Sequence, residues 1–140
     1  MHLHDRVIAK RAISPVSGGA DNTASVSQII DRQGFESLEF VIATGSVADA
    51  DATFTTLVEH GDAANLSDAV AVPDADLLGT EAAAGFQFDD DNEVRKIGYK
   101  GTKRYVRLTI TPASNTGAWL HGAVALLGNA RREPATQPSA

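Results

Sequence analysis

The chain has no cysteine, which removes disulfide staples, thiolate metal sites and cysteine nucleophiles together. Aromatic residues make up 6% of the 140 positions, so the core is expected to be thin and filled by small side chains, as in sheet-on-sheet packing. No apolar run approaches the roughly 20 residues that span a bilayer, and the opening His2-Leu3-His4-Asp5-Arg6 lacks the charged and apolar regions of a signal peptide. No membrane partner is expected. Cations are also scarce: Lys and Arg number 12 against 18 Asp and Glu, a net charge of -6. That balance opposes the phosphate neutralisation on which non-specific nucleic-acid binding rests, so nucleic acid is not an expected partner either.

What is present is β pattern. From Arg104 to Thr111 the chain alternates, with Val106, Leu108 and Ile110 on one face and Tyr105, Arg107, Thr109 and Thr111 on the other, the period of a half-buried strand. Pro112 is expected to end it, because proline gives no donor to a ladder. Gly98 and Gly101 bracket a tight connection from a shorter strand around Val94–Ile97, so residues 94–111 read as one hairpin. Further strands are expected over Ala24–Ile30, Phe35–Thr44, Thr53–Glu59, Phe86–Phe88 and Ala118–Leu127. In these, Leu38, Phe40 and Ile42, then Phe54 and Val58, then Trp119, His121 and Ala123 share faces. Pro73–Ala84 reads as irregular with a single helical turn, since Gly79 and Gly85 interrupt its alanines. Many short strands, turn clusters between them and no helical period predict an all-β chain, a jelly-roll-like β-sandwich. Ser14-Pro15 and Gly18-Gly19 mark residues 1–18 as an extended N-terminal arm. The domain proper is 19–128, and 129–140, with two prolines and little to bury, reads as a disordered C-terminal tail.

Chemistry is sparse. Paired aspartates (Asp49 and Asp51, Asp74 and Asp76, Asp89–Asp91) invite a hard cation, but aspartate is also what turns prefer, and no calcium-loop spacing is present. Four imidazoles, His2, His4, His60 and His121, accompany no nucleophile motif, and the glycines lack the spacing and following helix of a phosphate cradle. No catalytic residue, metal or cofactor is expected. The basic cluster is more telling: Arg95, Lys96, Lys100, Lys103, Arg104 and Arg107 are half of all Lys and Arg. Gathered on one hairpin, they would give a charge-segregated face for docking copies or seating on an acidic surface. Tyr99, Tyr105 and Trp119 would supply interface aromatics. The arm residues His2, His4, Arg6, Val7, Ile8, Lys10 and Arg11 complete the interface candidates.

The phrases Ile29-Ile30-Asp31-Arg32-Gln33-Gly34, Phe40-Val41-Ile42-Ala43-Thr44-Gly45-Ser46, Ala48-Asp49-Ala50-Asp51-Ala52-Thr53-Phe54 and Arg95–Arg107 resemble a group of small proteins encoded beside the major capsid protein of tailed bacteriophages. The resemblance runs from about Asp5 to Gly128. It implies a capsid decoration, or cement, protein: a β-rich subunit, commonly a homotrimer, that sits on the outer surface of the virion shell and bridges neighbouring major capsid subunits after assembly in the host cytoplasm. It carries no catalytic motif. Two alternatives accompany it, a head-tail connector or tail component, and a virion-surface glycan-binding sandwich that stacks sugars on Trp119, Tyr99 and Tyr105.

Overall fold

The computed structural model describes residues 2–132. One helical turn, α1 (Leu3–Arg6), leads into β1 (Val7–Gly18), β2 (Ser25–Val26), β3 (Ile30–Asp31), β4 (Phe35–Val47) and β5 (Thr53–Gly61). After β6 (Val70–Ala71) come a 3-10 turn, β7 (Leu77–Leu78), the single turn α2 (Glu81–Ala84) and β8 (Phe86–Gln87). The chain closes with β9 (Val94–Tyr99), β10 (Tyr105–Ala113) and β11 (Trp119–Ala130).

Two antiparallel sheets face each other. One has the order β1-β11-β4-β9-β7; the other runs β2-β10-β5-β6, with β3 also on β10 and β8 also on β5. Except for β2 to β3, which both lie on β10, and the β5 to β6 hairpin, successive strands pass from one sheet to the other, which is the jelly-roll order. The expected alternation holds: Phe40, Ile42, Ile97, Val106, Leu108, Ile110 and Leu127 are fully buried between the sheets. Small residues complete the layer, among them Ala12, Ala52, Ala84, Ala123 and Ala125. Its aromatic centre is Trp119, with ring centroids 4.7 Å from Phe54 and 3.7 Å from His121. Gly18 admits this indole, since a Cβ there would lie 2.0 Å from Trp119 Nε1.

Several expectations are corrected. Val7–Gly18 is extended but is not a free arm: it is the edge strand of the five-stranded sheet, paired with β11 from Val7 opposite Gly128 to Gly18 opposite Trp119. Pro15 is tolerated because it falls where the register shifts between Ile13 and Val16, on a strand with a free side. The strand expected over 24–30 splits into β2 and β3. Between them Ser27 turns its hydroxyl into the ladder, its N–H donating to Leu108 O (2.8 Å) and its Oγ accepting from Leu108 N–H (2.9 Å). Gln28 N–H then reaches Ala12 O of β1 in the opposite sheet.

Residues 94–111 are not a hairpin. β9 pairs with β4 and β7, whereas β10 pairs with β5, β2 and β3, so residues 100–104 cross between sheets. Pro112 does not end β10; it is paired opposite Phe54. Leu108 directs both its N–H and its C=O toward Ser27, and the two-residue period puts the Pro112 nitrogen on that same side. There β2 has already ended at Ser25, so no donor is missed. At the C-terminus β11 continues to Ala130, and Arg131 N–H donates to Gly34 O (2.9 Å). Residues 129 and 130 thus belong to a strand where a tail was expected, and residues 133–140 of that expected tail lie outside the described residues.

Candidate functional site

If Phe40 and Ile42 face inward, then Glu39, Val41 and Ala43 must face out, and β11 obeys the same parity with Leu120, Gly122, Val124 and Leu126. Pairing sets these side by side: Val124 opposite Val41, Gly122 opposite Ala43, Leu126 opposite Glu39. β1 adds Ala9 opposite Leu126 and Arg11 opposite Val124. On the far side β9 adds Val94 opposite Ala43 and Lys96 opposite Val41, and β7 adds Leu78 opposite Gly98. The outer face of the five-stranded sheet is thus a nearly continuous apolar surface. Val94, Leu78, Leu120 and Val124 on it are 63, 53, 44 and 41% exposed, values normal for polar residues and costly for a patch of aliphatic ones.

The face contains a shallow groove of about 570 Å³, lined chiefly by aliphatic residues, among them Pro15, Val41, Ala43, Leu120 and Val124, with Arg11 and Thr44 also in its lining. Glycines keep it low. A Cβ on Gly45 would meet Leu120 Cβ at 2.8 Å, and one on Gly122 would meet Pro15 Cα at 3.3 Å. Desolvation among these aliphatic neighbours raises the Glu39 pKa above the ordinary carboxylate value, with Lys96 pulling the other way.

The structure disperses the basic cluster. Arg95 is ion-paired with Glu93 (2.6 Å) and Asp90 (3.5 Å), and Lys103 with Asp62 (2.8 Å). Arg104 makes two 2.8 Å bonds to Asp31 and lies 5.0 Å over the Tyr105 ring. Arg107 pairs with Glu59 (2.9 Å) on the outer face of the other sheet. Lys96 stands on the apolar face and Lys100 on the crossing, so the six cations do not share one face, and four of them are ion-paired. Among the terminal candidates His2, His4, Arg6 and Arg11 are exposed, Val7 is half-buried, Ile8 is core and Lys10 Nζ donates to Asp31 O at 3.3 Å. Arg11 bonds Ser14 Oγ and Gln28 Oε1, both at 3.1 Å.

Trp119 and Tyr99 are each 1% exposed. Neither offers a ring to a sugar, which leaves Tyr105 alone of the three proposed stacking platforms. Tyr99 OH sits 2.7 Å from His60 Nδ1 and accepts Lys103 N–H at 3.0 Å, while burial raises its pKa. The aspartates serve as turn pins. Asp49 accepts the N–H of Asp51 and both the N–H and the hydroxyl of Thr116, each at 2.7 Å, and those bonds hold its carboxyl far below the usual range. Among the described residues no group of three or more His, Asp or Glu is placed to hold a metal ion.

The apolar face itself escaped the sequence reading. Its signal is that β4 and β11 are apolar in both phases of the alternation, Val41 and Ala43 as well as Phe40 and Ile42, Leu120 and Val124 as well as Trp119 and Ala123. In a central strand that doubling means cover on both sides, and here only one side is covered.

No protein-family model matches the chain, and no curated protein matches it. Solved structures do. The N-terminal xylanase 10B modules CBM22-1 and GH10 of Clostridium thermocellum, complexed with xylohexaose, align over 97% of this chain and 30% of that one at 12% identity and a TM-score of 0.49. The infectious bursal disease virus Gx strain structure aligns over 92% of this chain and 34% of that one, again at 12% identity and 0.49. The enzymatically active domain of bacteriophage CBA120 tailspike protein 4 aligns over 89% and 20% at 8% identity and 0.46. This chain therefore spans about a third or less of the length of each of these proteins. Likenesses of this size leave function to the geometry of the chain itself.

Proposed function

We propose that this chain is a structural virion protein that decorates the outer surface of a tailed-phage capsid and cements it by bridging neighbouring major capsid subunits, with the outer face of the five-stranded sheet as its contact. The observation that carries the reading is the aliphatic surface around Leu120, Val124, Val41 and Val94, exposed on a rigid sheet. Aliphatic patches of this kind mark protein contacts, because covering them releases ordered water at about 25 cal/mol per Å². The phrases that resemble the capsid-adjacent family support the same reading, and they include Val41, Ala43 and Lys96 of this face.

Cement works by number. A contact of about 800 Å² per partner is typical of a stable interface, and three joined copies that must let go together hold far more tightly than one. Purified particles prepared with and without the polypeptide test the proposal. Added density on the shell exterior and a higher rupture temperature are expected in its presence. Identical exteriors and identical rupture temperatures would remove it.

A further inference from the structure

At one end of the sandwich, the turn between β3 and β4 meets the β9 to β10 crossing and the end of β11 around a recess of about 420 Å³. Four cations, Arg32, Lys100, Arg104 and Arg131, line it with a single carboxylate, Glu36. Two of the four are already neutralised, Arg104 by Asp31 at 2.8 Å and Arg131 by Glu36 at 2.9 Å. The other two are not.

Arg32 is the unusual one. It is 8% exposed, and a guanidinium stays charged in a protein. Buried cations are ordinarily matched by an acid, yet among the described residues no carboxylate lies within ion-pair distance of Arg32. Three backbone carbonyls hold it instead: Nε donates to Lys103 O (2.6 Å), Nη1 to Phe35 O (3.2 Å) and Nη2 to Gly101 O (3.0 Å). The guanidinium carbon also lies 5.1 Å from the centre of the Tyr99 ring. These contacts fix the plane of the group and use three of its five N–H donors. Lys100, exposed and without an acid partner among the described residues, supplies a second, mobile charge on the same recess.

A fixed guanidinium beside a free ammonium is matched by a planar oxyanion that takes hydrogen bonds from both. We infer that this recess is a seat for a carboxylate presented by a partner protein, as an Asp or Glu side chain or a chain terminus. A protein carboxylate fits better than a nucleic-acid phosphate because the net charge of -6 repels an extended polyanion, whereas one acidic side chain can dock against a local excess of cations. The inference does not depend on the shell reading, because it concerns the chemistry of the recess whatever protein supplies the acid.

The full chain titrated with an end-blocked tetrapeptide carrying one glutamate, at fixed ionic strength, tests it, read by the Nε–Hε NMR signal of Arg32. A saturable displacement of that signal is expected, with the midpoint moved to about tenfold higher peptide in Lys100→Ala, the size of one charged hydrogen bond. Lys96→Ala, on the apolar face, should leave the midpoint unchanged. The seat is overturned by a response that never saturates, or by one that Lys100→Ala does not weaken. Displacement by inorganic sulfate but not by the peptide overturns the assignment to a protein carboxylate.

Discussion

The two outer faces of the sandwich are built from the same strand geometry and treat water in opposite ways. On the six-stranded sheet, β5 and β10 present Thr53, Thr55, Glu59, Arg107, Thr109 and Thr111, with Arg107 directly opposite Glu59 and bonded to it at 2.9 Å. That face is mostly polar, although Leu57 and Val26 lie on it beside Thr109, and Arg107 Nε is buried without a hydrogen-bond partner. On the five-stranded sheet the equivalent positions are Val41, Ala43, Leu120, Val124 and Val94, which gain nothing from water. Core packing does not require this, since both sheets already bury their inner faces. Under the proposed function, the asymmetry serves a contact outside the chain.

The largest effect should come from the layer that both faces share. Trp119→Ala empties the centre of the core and should cost about 3–5 kcal/mol, measured by urea unfolding. A loss below about 1 kcal/mol would mean that the faces are not carried by a common core. Next, Val124→Glu should leave urea unfolding nearly unchanged and weaken attachment to the capsid by about tenfold or more per subunit, since covering a valine contributes on the order of 1.5–3 kcal/mol. Arg107→Ala, on the other face, should keep full attachment and lose less than about 1 kcal/mol of stability. Equal attachment by both variants, read by co-sedimentation with particles, would erase the distinction between the faces.

The smallest effect is set by acid. Burial holds the pKa of both His60 and His121 below the ordinary value of 6.5; Lys103 adds to the shift for His60, while the Trp119 carbonyl partly opposes it for His121. The unfolded chain takes up protons below about pH 6.5 that the folded chain refuses, so stability is full above that pH and declines as pH falls toward the lowered folded values. Thermal melts at pH 7.5 and 5.5 should show the drop, and His60→Gln with His121→Gln should shrink it. An unchanged difference in the double variant would assign the acid sensitivity to other groups.

Strand positions were legible because alternation is a local property: Val106, Leu108 and Ile110 declare a buried face without reference to any partner. Sheet membership was not. Gly98 and Gly101 suit a hairpin, but the burial of Tyr99 against His60 and the pinning of residues 101 and 103 by Arg32 turn the chain to the opposite sheet, and those contacts join residues distant in sequence. Misplacing β10 beside β9 made six cations look like one face. The edge strand was mistaken for an arm for a related reason, because Pro15 speaks of loops unless the bulge that excuses it is known. Trp119 and Tyr99 read as interface aromatics only while strand phase is ignored, for Trp119 falls in the inward phase of its own strand alongside Ala123 and Ala125.

In the five-stranded sheet, β11 lies between β1 and β4. Of the strands of this sandwich it is the last to leave the ribosome, yet it must slide into the middle, and until it emerges the first long strand has no neighbour to hydrogen-bond in its own sheet. Closing so long a loop is slow. A nascent chain stalled before Trp119 would keep its aliphatic strands open to passing chaperones, and the sandwich can be completed only once residues 119–130 have emerged.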